Sequence, residues 1–154
     1  MLCAVAVCAA RPVVAGAQSG PSAGDTAAQR AVRVAKDIVA PGVSDSGRAA
    51  ARRAADRILD SAEAAGGPTA LTHFARTAVL GYVVDQALGA ARAGGTTRAR
   101  CVAARRAKAT ADTLQGLLPA GDESPSPAYQ ATLRRWWLLS DTAGALVRAS
   151  CPRA

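Results

Sequence analysis

Apolar residues recur at helical spacing along almost the whole chain, and Gly and Pro interrupt them at intervals. In the stretch 69–92, Leu71, Phe74, Ala75, Ala78 and Tyr82 form one stripe of a 3.6-residue period. Thr69, Thr72, His73 and Arg76 fall opposite that stripe. The middle of the stretch, Val79 to Val84, is apolar all round, as expected of a helix enclosed by others. This pattern predicts a central helix near 69–92.

Four further helices follow from the same period. A helix over 26–40, capped by Asp25 and stopped by Pro41-Gly42, places Ala28, Ala31, Ala35 and Ile38 on one face. A second, over 46–65, carries an inward stripe of Ala51, Ala55, Ile58, Ala62 and Ala65. Its other face bears Arg52, Arg53, Asp56, Arg57 and Asp60 and reads as solvated and laced with ion pairs. Gly66-Gly67 ends it, and Pro68 suits the first position of the central helix. Thr97 is the expected cap of a helix reaching Leu118, with Ala104, Ala107, Ala111, Leu114 and Leu118 inward. After a polar turn over 119–125, Ser126 and Pro127 open a last helix to about Ala149. Its inward stripe is Tyr129, Leu133, Trp136, Ala143 and Val147, widened by Trp137, Leu138, Leu139 and Leu146. Short connections force neighbours to run antiparallel, so the expected fold is all-α, an up-and-down bundle of about five amphipathic helices. The domain spans 25–154.

Composition sharpens the picture of the core. Roughly a quarter of the residues are alanine and aromatics are only 3%. Such a core is built from close-packed backbones and small side chains, and alanine favours helix because ordering costs it no side-chain entropy.

The N-terminal stretch 1–17 reads as an export signal. Leu2 to Ala10 is an uncharged apolar run, and Ala15-Gly16-Ala17 is a small-x-small site for cleavage after Ala17. No basic residue precedes the run and Arg11-Pro12 interrupts it. A cytosolic N-terminus is the alternative. The run is too short for a bilayer span, which needs about 20 residues. The stretch 18–24 has the composition of a flexible linker.

Removal of the leader takes Cys3 and Cys8 and leaves Cys101 and Cys151. An isolated pair in an exported chain reads as a disulfide, and the ends of an antiparallel hairpin bring these two positions together. Two unrelated thiols are the alternative. His73 is the single histidine, too few for a zinc site, and no phosphate loop, nucleophile elbow or paired-carboxylate spacing is present. The chain is therefore expected to be non-enzymatic and to use no cofactor.

Asp85 stands in the most apolar helix, with Gly81 and Gly89 one turn away on its face. It is expected to form a buried or half-buried ion pair with Arg134 or Arg135. The formal net charge is +8. Arg98, Arg105 and Lys108 on the fourth helix are the candidate anion-binding face; the alternative is a solvated surface that is basic through arginine-rich composition alone. A partner is not named by the sequence; it could be a protein, an anionic polymer or a membrane surface. The leading functional expectation is an exported helical bundle that binds or scaffolds. The alternative is a basic module for nucleic acid or another polyanion, cytosolic if the leader is not a signal.

Overall fold

A computed structural model describes residues 23–93, 95–118 and 127–152, with side chains of 127–129 excepted. The leader at 1–17, its cleavage site, most of the linker, the Ser126 cap, the turn at 119–125 and the Tyr129 side chain lie outside the described residues. The described chain is all-α, a bundle of five helices with no strand among the described residues: α1 (Ala23–Ala35), α2 (Asp45–Gly66), α3 (Ala70–Arg92), α4 (Thr97–Leu117) and α5 (Pro127–Ser150). A single 3-10 turn, Lys36–Ile38, continues α1 and delivers Ile38 to the core.

α3 is the hub, packing against α1, α2, α4 and α5. Its all-round apolar character has that cause: it divides the core into two sides. On one side Ala75, Val79 and Val83 meet Ala28, Ala31 and Ala35 of α1 and Ala51, Ala55 and Leu59 of α2. On the other, Val84, Ala87 and Leu88 meet Ala107 and Ala111 of α4 and Ala143 of α5. A third cluster joins Leu114, Leu118, Leu133 and Trp136, with Phe74 packed against it. The stripe expected on α4 is buried throughout.

Several expectations shift by one position, each for a local reason. The buried line of α2 is Ala51, Ala55 and Leu59; Ile58 is half-buried and Ala65 exposed. Strict i+4 spacing keeps these three on the side toward α1, where alanines let the backbones close. In α3, Leu71 is exposed and Thr72, expected outside, is fully buried. Thr72 belongs to a reciprocal cap. Its amide donates to Thr69 Oγ1 at 3.1 Å, and the Thr69 amide donates to Thr72 Oγ1 at 2.9 Å. That cap starts the helix after Thr69 and leaves Pro68 outside it. Thr96, not Thr97, caps α4, its hydroxyl accepting from the Ala99 amide. α1 begins ahead of Asp25. α2 ends where Gly67 takes φ +77°, a conformation that suits glycine.

On α5, Leu133, Trp136 and Ala143 are buried, while Trp137 and Leu138 are 48% and 64% exposed and do not widen the core. Adjacent residues on a helix point about 100° apart, so one tryptophan can face inward and its neighbour cannot. Trp136 lies on α3 where Gly81 exposes bare backbone. A Cβ at Gly81 would fall 2.7 Å from Trp136 Nε1 and 3.2 Å from Cδ1. The Phe74 ring packs against the same indole, centroids 5.8 Å apart. Gly89, by contrast, faces open space and serves no close approach.

Polar clasps close the edges. Arg76 of α3 grips Glu63 of α2 with two parallel bonds, Nε to Oε1 at 3.0 Å and Nη2 to Oε2 at 2.6 Å. Its Nη2 also reaches Asp60 Oδ1 at 2.7 Å. The guanidinium hydrogen bonds hold the Glu63 carboxyl below its ordinary range. His73 Nε2 lies 2.8 Å from the Leu117 carbonyl at the C-terminal end of α4, tying that end to α3.

Two outcomes follow. Gly81→Ala should destabilise the protein by about 1–3 kcal/mol in urea unfolding, because Trp136 must leave its seat to admit a methyl group. Glu63→Gln should lower stability by about 1–2 kcal/mol at neutral pH. The clasp is fully present above the unfolded glutamate pKa near 4.3 and is lost as pH falls through the lower folded value. Wild type and variant should therefore converge in acid, and a gap that persisted there would show that the clasp does not depend on ionisation.

Candidate anion-binding groove

The residues expected to form one basic face do not converge. Arg98 and Arg105 are both exposed on the outer side of α4, but Lys108 points toward α5, half-buried and ion-paired to Asp112 one turn on. Helical phase explains the split. Residues 98 and 105 are seven apart and share a bearing, whereas 108 is rotated toward the α4–α5 seam beside Gly144.

A different constellation does converge. α2 and α4 flank α3 and leave part of its surface, Gln86 and Ala90, uncovered between them. Two depressions meet there, about 510 Å³ on the α2 side and about 450 Å³ on the α4 side, sharing Gln86, Ala90 and Arg106. Arg48, Arg52 and Arg53 of α2 line the first, and Arg98 lines the second. Asp45 is the single acidic residue on either lining.

These arginines do different work. Arg48 is structural: it donates to the carbonyls of Val43 and Ile38 at 2.9 Å each, and of Ala40 at 3.4 Å. These bonds fasten the turn between α1 and α2 and satisfy carbonyls left over where the 3-10 turn ends. Arg52 makes a long contact of 3.7 Å to Asp56, both half exposed. Arg53, Arg98 and Arg106 are exposed and make no ion pair or hydrogen bond among the described residues. Three guanidinium forks, from two helices, thus border a groove whose one lining carboxylate, Asp45, forms no ion pair with them. A planar fork binds phosphate, sulfate or carboxylate through paired N–H···O bonds, and the amide of Gln86 on the floor can donate or accept.

Sequence reading identified Arg98 on the basic fourth helix, which also carries Arg106, but placed Arg53 on the solvated face of the second helix and did not join the two. The missing signal was tertiary: α2 and α4 do not touch extensively, and only their placement about α3 puts the two faces across one groove.

Asp85 pairs with Arg135, Nη2 to Oδ2 at 2.6 Å, and not with Arg134. Of the two burials expected, full burial is corrected: Asp85 is half-buried at 26% exposed, and Arg135 is 66% exposed. Asp85 lies toward the rim of α3 where α5 covers only one side, so its charge stays in contact with water. A surface pair of this kind contributes about 1 kcal/mol or less.

Cys101, buried near the start of α4, and Cys151, just past α5, stand with sulfurs 2.07 Å apart and Cα atoms 4.8 Å apart, at disulfide distance. The antiparallel α4–α5 hairpin brings them together as expected. No group of three His, Cys, Asp or Glu residues suited to a metal occurs among the described residues, and no described helix is long and apolar enough to cross a membrane. The chain matches no family model, no curated protein and no solved structure.

Closing a loop across a 50-residue separation constrains the unfolded chain by about 4 kcal/mol on the chain-entropy estimate. Reduction should lower the melting temperature while far-UV circular dichroism at 25 °C stays helical, because none of the three core clusters includes the cysteines. A peptide map without reductant should contain the cross-linked fragment.

Proposed function

We propose that this protein is an exported, non-enzymatic binding protein, a disulfide-stapled helical bundle that holds a segment of anionic polymer in the groove between α2 and α4. The observation that carries the reading is the convergence of Arg53, Arg98 and Arg106, all without carboxylate partners among the described residues, on the uncovered strip of α3. Export is supported by the Leu2–Ala10 run with its Ala15-Gly16-Ala17 site and by the cysteine pair, which an oxidising compartment would keep joined. A polymer fits better than a small metabolite because the groove is open along its length and its contacts are point charges rather than an enclosing wall. The net charge of +8 adds long-range attraction for such a partner.

The second reading, a cytosolic nucleic-acid-binding module, uses the same groove and differs in compartment. Nothing on the groove lining is aromatic, so base stacking is not provided for and contact would be to phosphates. The mass of the native N-terminus separates the two: a chain beginning at Gln18 supports export, and an intact Met1 on cytosolic protein refutes it.

The groove is tested by salt-dependent titration with polyphosphate, a sulfated polysaccharide and single-stranded DNA. Replacing Arg53, Arg98 and Arg106 together by Gln should weaken binding and flatten the log–log salt slope by roughly one unit per lost contact. A matched variant with Gln at Arg30, Arg33 and Lys36, all exposed on the α1 segment and off the groove, loses the same charge. Equal weakening in both variants would reduce the effect to net charge and reject the groove.

A further inference from the structure

A separate surface, on α5, carries an inference that does not depend on the groove. Among the described residues only α3 and α4 pack on α5, so α5 is an edge helix with one side open. That side presents Trp137 and Leu138, 48% and 64% exposed, flanked by exposed Arg134 and Asp141. Trp137 and Leu138 are the two most exposed large apolar residues on the helix, side by side in sequence and splayed about the outward direction. Arg134 and Asp141 form no ion pair or hydrogen bond among the described residues.

We propose that the outward face of α5 is a two-fold self-association surface whose occupant is a second copy of this chain. The charge pattern makes the case. Arg134 and Asp141 are seven residues apart, two helical turns, and so share a bearing along the helix. Their midpoint falls between Trp137 and Leu138. When two such helices pair antiparallel about an axis at that midpoint, Arg134 of each copy meets Asp141 of the other. Trp137 of each copy then lies against Leu138 of the other. One step further out, Gln130 lies opposite Ala145, a small residue that leaves room for it. Every element of the pattern is self-complementary under a single two-fold rotation, which is what an isologous interface requires. A parallel pairing would instead set Arg134 against Arg134 and Asp141 against Asp141. An anionic membrane would leave Asp141, one turn from the centre of the contact, repelled. Helix-on-helix burial of this extent lies below a standard interface, so the dimer is a weak one.

Sedimentation velocity over roughly 1 μM to 1 mM should show a concentration-dependent shift from monomer to dimer. Arg134→Asp and Asp141→Arg, each alone, put like charges across the axis and should weaken association at least about tenfold. Both positions are exposed, so the variants should keep the wild-type circular dichroism spectrum. The decisive result is their mixture. A chain acidic at both positions meets a chain basic at both, and the two should form a 1:1 heterodimer although neither self-associates. The double charge-swapped chain, Arg134→Asp with Asp141→Arg, should dimerise again. A wild type monomeric at 1 mM overturns the proposal, as does a dimer indifferent to both reversals. Binding of monomers to anionic phosphatidylserine vesicles, with a blue shift lost in Trp137→Phe and no dimer in solution, would assign the face to a membrane and overturn it too.

Discussion

Scarcity of side-chain volume governs this molecule. With aromatics at 3% and alanine on most inward stripes, apolar burial can be gained only by bringing helix backbones close together. That requirement makes α3 the hub. A helix flanked on one side by alanines of α1 and α2 and on the other by alanines of α4 and α5 must itself be apolar on both of those sides. Its Val79, Val83, Val84 and Leu88 supply the volume its neighbours lack. The same scarcity gives Trp136 unusual weight. It is the one buried tryptophan, and it closes the third cluster by lying on the bare backbone at Gly81.

A core of small residues has thin edges, and polar groups finish them. The Arg76 fork on Glu63 and Asp60 joins α2 to α3 outside the apolar contact. Arg48 gathers three carbonyls at the turn before α2, and His73 engages the last carbonyl of α4. The cysteine pair does the same for the free end of α5. The Arg48, His73 and cysteine ties lie at element boundaries, where helix ends leave backbone groups unsatisfied or the chain would otherwise fray, whereas the Arg76 clasp joins two helix bodies.

The arginines divide along the same lines. Some are consumed by the architecture, as Arg48 and Arg76 are, and Arg135 is spent on Asp85. Those facing the groove remain available. An arginine-rich composition thus does not translate directly into a binding surface; the availability of each guanidinium is settled by which carboxylates and carbonyls the fold places beside it.

Periodicity in the sequence determined the helices, their breaks at Gly42 and Gly67, the apolar middle of α3 and the full inward stripe of α4, because these depend on local spacing and backbone sterics alone. Proximity of Cys101 and Cys151 also followed, since an antiparallel hairpin fixes which ends meet. Rotation of each helix about its own axis was decided only by tertiary packing. Ile58 and Leu59 are both apolar, and which one turns inward depends on where α1 lies. Thr72 is polar by type yet buried, because its hydroxyl satisfies Thr69 within the cap. Asp85 was placed in the interior by its apolar neighbours, but the edge position of α5 leaves it at the rim with Arg135. Arg53 and Arg106 are 53 residues apart in the chain and meet across one groove only because α2 and α4 flank the same strip of α3. A one-dimensional period records which residues share a face of one helix; it carries no information about which faces of different helices look at each other.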